Sequence, residues 1–241
     1  MDIGIIGSGH IGSILARRLA ALGHQVRIAN SRGPESLAAL AAETGATAST
    51  AEQAASARDV VIVTIPQKAV PELPRGLFAG STAVVVDTGN YYPARDGRID
   101  AIEGGLTDSE WVAKAIGRPV VKAFNNILAA SLVSRGATEG TPGRVCLSVA
   151  GDDPAAKQAV LRLIGELGFD GLDAGSRVLA PAARHSRVLH GLRPRRTADG
   201  AVPAGPGGDR TAPSDGGRAS EFVLRSGPIP PTLRFDKPTS R

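Results

Sequence analysis

The chain has 241 residues, of which 42% are hydrophobic and only 3% aromatic, so we expect one large domain with a core of Ala, Val, Leu and Ile. Its net charge of +5 is uneven, because residues 1–174 carry −2 and residues 175–241 carry +7. The basic part has no basic helical pattern and no interleaved aromatics, which argues against nucleic-acid binding. A single cysteine, no secretory signal and no apolar stretch of about 20 residues predict a cytoplasmic protein without disulfides or membrane contact.

Short β-branched runs alternate with amphipathic stretches through the first 174 residues. Helices are predicted at 11–22, at 34–42, shortly after 48, around 111–116 (opened by Asp108 or Ser109 and closed by Gly117), and between 151 and 168. Strands are predicted at 3–6, 25–29, weakly at 46–48, and at 59–65, 83–86, 120–124, 145–150 and 169–173. This alternation predicts a Rossmann-like, doubly wound α/β fold with a mostly parallel sheet of seven or eight strands.

The composition changes after Gly175. Residues 175–241 contain nine Gly and nine Pro and show no sustained helical or strand period. We therefore divide the chain into a nucleotide-binding domain, residues 1–175, and a low-complexity tail, residues 176–241, which we expect to be non-globular or disordered.

Three glycines follow the first strand at the spacing of a dinucleotide-binding loop. Gly7 suits a tight turn, Gly9 a close approach of the backbone to a pyrophosphate, and Gly12 close packing of helix and strand. The helix that follows offers free N–H groups and the positive end of its dipole to the phosphates. For His10, inside the loop, the backbone is expected to matter more than the imidazole.

The second strand ends in Asn30, Ser31 and Arg32, where a chain that binds NAD usually carries one acidic residue. An uncharged amide, a hydroxyl and a guanidinium suit a 2′-phosphate, so this triplet favours NADP over NAD. The alternative is that Arg32 is only a solvated charge beside the turn at Gly33 and Pro34.

The other strand ends are polar, as expected for residues that line a nicotinamide pocket. They read "TIP" (residues 64–66), "DTGNYY" (87–92) and "KAFNNI" (122–127). Tyr91 and Tyr92 suit either a stacking wall for a flat ring or ordinary loop packing, and both interpretations stay open. Three further residues have simple structural explanations: Lys122 reaching solvent, Asp87 capping its loop and Cys146 acting as a small buried hydrophobe.

The sequence resembles the NADP oxidoreductases that depend on coenzyme F420, a deazaflavin. It is also similar to the cytosolic NADPH domain of the six-helix membrane ferric reductases. The resemblance covers about residues 1–176 and rests on "IGIIGSGHIGSILARRLAALGH", "ANSRGPESL", "VVKAFNNILAASL" and "VAGDDPAAKQAVLRLIGELGFDGLDAGS".

The resemblance implies a bound NADP(H). It places Ser8, His10 and Ile11 on the cofactor, and Ser31 and Arg32 on the 2′-phosphate. The residues that it implies near the nicotinamide are Thr64, Ile65, Pro66, Asn90, Ala123, Phe124 and Asn125.

These features predict an NADP(H)-dependent oxidoreductase that transfers a hydride between NADPH and coenzyme F420 or another flavin-like or redox acceptor. The sequence offers no general acid or base and no metal cluster at the strand ends, so we name no catalytic residue. Two alternatives stay open: a non-enzymatic NADPH sensor, and a reductase of a small imine or carbonyl compound. The partner is a small-molecule acceptor, and a homodimer is left open.

The family resemblance stops near Gly175 and Ser176, where relatives continue with a segment like "SWRQQPGTPVY". Back-translating residues 178–191 with permitted codons and moving the frame by one nucleotide yields "SSRQQPGTPVYCT". We hypothesise that the chain from about Ser176 is read out of frame, through a deletion or a sequencing error. It would then lack the segment that, by the resemblance, closes the acceptor site, so NADPH binding could survive while turnover would suffer. Resequencing the gene tests this hypothesis, which an intact frame would contradict.

Overall fold

The computed structural model describes residues 1–176. The predictions of a disordered and out-of-frame tail fall on residues 177–241, outside the described part, apart from Ser176. In residues 1–176 no helix is both long enough and apolar enough to cross a membrane.

Strands and helices alternate along the described chain. The strands are β1 Asp2–Ile6, β2 Gln25–Ala29, β3 Thr47–Ala48, β4 Val60–Val63, β5 Val84–Asp87, β6 Val121–Lys122, β7 Cys146–Val149 and β8 Asp170–Asp173. The α-helices are α1 His10–Ala21, α2 Ala38–Thr44, α3 Ala51–Ala55, α4 Pro93–Asp96, α5 Asp100–Glu103, α6 Asp108–Ile116, α7 Ala129–Ser134 and α8 Pro154–Glu166. Two 3₁₀ segments span Pro34–Leu37 and Gln67–Glu72.

The central sheet has six strands in the order β3-β2-β1-β4-β5-β6, and every pairing in it is parallel. This is the strand order of the dinucleotide-binding doubly wound fold, with the switch point between β1 and β4, so the predicted fold class is confirmed.

The predicted strand count for a single sheet was wrong. Strands β7 and β8 form a separate parallel pair, which meets the central sheet through one antiparallel bridge between Lys122 and Ala150. The physical reason lies in β6, which is only two residues long. Two residues later Phe124 adopts φ +60°, a left-handed conformation that cannot continue a strand. Strand β6 is therefore too short for a full ladder with β7, and only the single bridge forms.

Two apolar layers cover the faces of the central sheet. Alternate residues of β1 and β4, including Ile3, Ile5 and Ile62, pack in a cluster with residues of α1 and α8. Residues of the opposite phase, including Ile6 and Val61, pack in a second cluster with residues of α3 and α6. The sheet is therefore buried on both faces, and its functional residues must lie at the ends of its strands.

The ends of two helices refine the sequence predictions. Helix α8 begins as expected, with the Asp153 side chain accepting hydrogen bonds from backbone N–H groups and a proline in the first turn. Helix α6 is capped by Thr107, rather than by Asp108 or Ser109, because Thr107 and Glu110 form a reciprocal capping box. The helix predicted at 34–42 is a 3₁₀ turn followed by α2.

Cys146 lies half-buried at the start of β7. Burial, with a smaller contribution from the Asp170 carboxylate, raises the pKa of its thiol. Because the thiolate is the reactive form, we expect native Cys146 to react slowly with Ellman's reagent at about pH 8 and to react at least about tenfold faster after unfolding in urea. Equal rates in the native and unfolded chain would contradict this prediction.

Candidate nucleotide-binding site

The loop between β1 and α1 contains the first glycine of the predicted phosphate loop, in a conformation that requires glycine. Gly7 has φ +118°, and a Cβ on it would lie 2.3 Å from the carbonyl oxygen of Thr64. The chain therefore turns tightly against the end of β4.

Gly9 and Gly12 differ in what surrounds them. A Cβ on Gly12 would lie 1.9 Å from the carbonyl oxygen of Gly7, so this glycine lets the helix begin directly against its own loop. A Cβ on Gly9 would meet no heavy atom of the described residues within 4 Å. The loop therefore packs closely at Gly7 and Gly12. It is open at Gly9, where the prediction places the pyrophosphate.

The N-terminus of α1 is available to an anion. Among the described residues, no side chain caps this end through a hydrogen bond, and the first turn contains no acidic residue. The helix is 12 residues long, so its first N–H groups and its dipole present partial positive charge at this end. The predicted cofactor contacts of this turn differ in burial, since His10 is exposed and Ile11 is half-buried.

Asn30 joins the end of β2 to the phosphate loop. Its amide nitrogen donates hydrogen bonds to the hydroxyl oxygens of Ser8, at 3.1 Å, and Ser36, at 2.9 Å. Its amide oxygen accepts from the backbone N–H of Arg32 at 2.9 Å, which forms an Asx turn. Asn30 therefore organises the loop, while Ser31 and Arg32 remain at the surface.

Arg32 is one of several arginines in residues 1–176 whose guanidinium has no partner in that part of the chain. Many of the arginines in residues 1–176 are paired, such as Arg17 with Glu43 and Arg27 with Asp2. The Arg32 guanidinium has neither an ion pair nor a hydrogen bond within that part of the chain, and its side chain is exposed. A planar cation with free donors therefore lies two residues after Asn30, which hydrogen-bonds to the phosphate loop.

The end of β4 closes against the phosphate loop. The Thr64 N–H donates to the carbonyl oxygen of Ile6 at 2.8 Å. The methyl groups of Thr64 and Ile65 pack so closely on the loop that a Cβ on Gly12 or Gly7 would lie 2.8 or 2.9 Å from them. Thr64 and Ile65 therefore border the loop, and the half-buried Pro66 follows them in the chain. The predicted place of these three residues near the nicotinamide stays a prediction.

The ends of β5 and β6 meet through two asparagines. The Asn90 side-chain amide donates to the carbonyl oxygen of Asn125 at 2.8 Å, and the Asn125 amide donates to Asn90 Oδ1 at 3.4 Å. Ala123 and Phe124 lie beside them, but their side chains are buried in the core. Their predicted contact with the nicotinamide stays a prediction, and it would have to be made by their backbone.

Tyr91 does not form the stacking wall that was one of its two predicted roles. Its side chain is buried, and its hydroxyl donates to the Gly97 carbonyl at 3.1 Å or to Glu103 at 3.0 Å while accepting from the Ile99 N–H. Removal from solvent raises the pKa of this phenol. Tyr91 thus holds the 91–103 segment together, whereas Tyr92 is partly exposed, with the Arg95 guanidinium over its ring at 4.9 Å.

Lys122 does not reach solvent as expected, because it forms a buried ion pair with Asp87 that the sequence interpretation missed. The Lys122 ammonium lies 2.9 Å from Asp87 Oδ2, and the two side chains are only 5% and 2% exposed. The Ser109 hydroxyl and the Gly89 N–H also donate to the Asp87 carboxylate, and the ammonium donates to the Gly89 carbonyl oxygen. The two residues are register partners in β5 and β6, and opposite charges at the ends of consecutive strands were the available signal.

A second residue missed from the sequence is Gln67, which directly follows Pro66. Its side chain is fully buried, and neither polar atom of its amide has a hydrogen-bond partner in residues 1–176.

Residues 2–91 match the model of the family described as NADP oxidoreductase, coenzyme F420-dependent. This range contains the phosphate loop, the 30–32 triplet and the ends of β4 and β5. The structure is similar to that of a hypothetical protein, SMa0349, of Sinorhizobium meliloti, at 34% identity and a TM-score of 0.64 over 78% of this chain and 92% of that one. The chain belongs to the coenzyme F420-dependent NADP oxidoreductase family.

Two further solved structures are similar to this one. A protein of Arthrobacter sp. FB24, proposed to be an F420-dependent NADP reductase, is 25% identical with a TM-score of 0.62 over 76% of this chain and 88% of its own. A reductive aminase of Aspergillus terreus, solved with NADPH, is 15% identical with a TM-score of 0.54 over 79% of this chain and 61% of its own. At that identity the aminase shares only the fold.

Proposed function

We propose that the protein transfers a hydride between NADP(H) and the deazaflavin of coenzyme F420, or a flavin-like acceptor of similar shape. The observation that carries the proposal is the arrangement around Asn30: an uncharged amide links the phosphate loop to a loop that displays Ser31 and a free Arg32. A carboxylate at this position would repel a 2′-phosphate, and Arg32 supplies the opposite charge.

The residues of the site fit NADP(H). The open space at Gly9 and the uncapped start of α1 suit the pyrophosphate, and Ser31 with Arg32 suits the 2′-phosphate. Thr64, Ile65, Pro66 and the paired Asn90 and Asn125 would border the nicotinamide. When bound, NADP(H) supplies the hydride-carrying ring.

The side chains at the strand ends favour a second redox cofactor as the acceptor. Thr64, Asn90 and Asn125 are uncharged and can orient a ring through hydrogen bonds, while Asp87 and Lys122 neutralise each other below the surface. Their role would be to hold two rings face to face and to exclude water, since the rings carry the chemistry. The proposed identity of the Arthrobacter relative supports a deazaflavin as the small-molecule partner.

A screen of acceptors tests the proposal. The purified chain is mixed with NADPH and, in separate reactions, with oxidised F420, flavins, quinones, ferric chelates and small imines or carbonyl compounds, while the NADPH absorbance is followed. We expect F420 or a flavin to be reduced fastest. Turnover of imines alone would favour the small-substrate reductase, and tight NADPH binding without any turnover would favour a sensor.

Two glycine substitutions test the phosphate loop. Gly9→Ala is expected to leave the unfolding midpoint close to that of the wild type and to weaken NADPH binding by about tenfold or more, because the methyl group enters the open space in front of the loop. Gly12→Ala is expected to lower the midpoint, because its methyl group meets the Gly7 carbonyl oxygen. Thermal unfolding and calorimetry with NADPH separate these effects, and a Gly9→Ala protein with wild-type affinity would contradict the assignment.

A further inference from the structure

Gln67 carries the one buried side-chain amide that lacks partners in residues 1–176. It lies in the 3₁₀ segment that begins directly after Pro66, at the end of β4. The residue is 0% exposed, and neither Nε2 nor Oε1 has a hydrogen-bond partner there. Buried polar side chains nearly always have a partner, so a doubly unpaired amide needs an explanation.

Gly89, on which Gln67 packs, already uses both of its backbone polar groups in other hydrogen bonds. The amide packs on Gly89, where an added Cβ would lie 2.3 Å from Oε1 and 3.0 Å from Nε2. The Gly89 N–H donates to Asp87 Oδ1 at 2.9 Å, and its carbonyl oxygen accepts from Lys122. The described residues supply no partner, so a group from outside them would satisfy the amide.

The location and chemistry of the amide indicate what that partner is. Gln67 and Gly89 lie just beyond the carboxyl ends of β4 and β5, the edge of the sheet that also carries the phosphate loop. The free amide offers one acceptor and one N–H donor group, which is the complement of a primary carboxamide. The nicotinamide ring bears such a carboxamide.

We propose that Gln67 binds the carboxamide of the nicotinamide of NADP(H) and orients the ring at the end of β4. This inference rests on the NADP(H) function proposed above. The amide is fully buried beneath Gly89, so the proposal requires its side chain to turn towards the ring on binding. This explains the glycine at position 89, because a Cβ there would collide with the buried amide of Gln67.

The proposal predicts that Gln67 contributes to affinity only when the carboxamide is present. Calorimetry on the full chain would compare NADP⁺, its 3-acetylpyridine analogue, in which a methyl group replaces the amide nitrogen, and 2′-phospho-ADP-ribose, which lacks the ring. The variant Gln67→Met removes both polar atoms at similar volume. Gln158→Met is the control, because Gln158 is exposed on α8.

We expect Gln67→Met to bind NADP⁺ about tenfold more weakly than the wild type and to bind 2′-phospho-ADP-ribose equally well. The preference of the wild type for NADP⁺ over the acetylpyridine analogue should disappear in this variant and persist in Gln158→Met. Removing an unpaired buried amide should not lower the unfolding midpoint, so loss of fold does not obscure the result.

Wild-type affinity of Gln67→Met for NADP⁺, or an equal loss for all three ligands, would overturn the proposal. In the first case the partner of the amide is a buried water or a residue beyond 176, and in the second the residue is structural. Failure of the proposed function has a different signature, namely a wild-type chain that binds NADP⁺ no better than NAD⁺.

Discussion

Lys122→Met is expected to destabilise the protein by about 3–5 kcal/mol, the largest effect that we predict for any single substitution. The substitution leaves the Asp87 carboxylate charged, 2% exposed and without its counter-ion. Ser109 and the Gly89 N–H still donate to that carboxylate, but hydrogen bonds from neutral groups do not replace a cation. Urea unfolding followed by circular dichroism measures the loss.

Two further variants identify the unpaired charge as the cause. The double variant Asp87→Asn/Lys122→Met leaves no buried charge, so we expect it to recover a large part of the lost stability. Arg98→Met removes a cation from an ion pair whose members are 75% and 88% exposed, and its midpoint should stay at the wild-type value. A Lys122→Met chain that unfolds at the wild-type urea concentration would refute the prediction.

Arg32→Asp is expected to abolish the preference of the protein for NADPH over NADH. A hydrogen bond between charged groups contributes about 1.5–3 kcal/mol, so the wild type should bind NADPH about 10- to 100-fold more tightly. Aspartate at this position repels the 2′-phosphate and can accept from a ribose hydroxyl. Calorimetry with both nucleotides measures the two affinities.

The control for this experiment is Arg162→Asp on α8, which changes the net charge equally at an exposed position far along the chain. We expect it to keep the preference of the wild type. Equal affinities of the wild type for NADPH and NADH would mean that Arg32 is only a solvated loop charge, the alternative that the sequence left open.

The features that could be predicted from the sequence are those specified by neighbouring residues. The first strand, the glycine loop and α1 lie within 20 consecutive residues, so their pattern is sufficient to define them. Asn30 and Arg32 were identified for the same reason, because they follow directly on β2. Their roles as cofactor ligands remain predictions, as do those of the other residues proposed for the site.

The features that were missed depend on contacts between residues far apart in sequence. The pairing of Lys122 with Asp87 needs the register of β5 and β6, which local patterns do not give. The internal bonds of Tyr91 need the folded 91–103 segment. The early end of β6 coincides with a positive φ at Phe124, a residue type that rarely adopts it.

The hydrogen bonds of Asn30 constrain how an engineer could convert this scaffold to NAD. Asn30→Asp would introduce the acceptor that a ribose needs, but a carboxylate lacks the N–H donors that now reach Ser8 and Ser36. The Ser8 and Ser36 hydroxyls would then have to donate to the carboxylate instead of accepting from the amide, so this single substitution would rearrange the hydrogen bonds of the loop. A library of variants designed to change the preference from NADP to NAD should therefore vary positions 8, 30, 32 and 36 together, because Ser8, Arg32 and Ser36 all hydrogen-bond to Asn30.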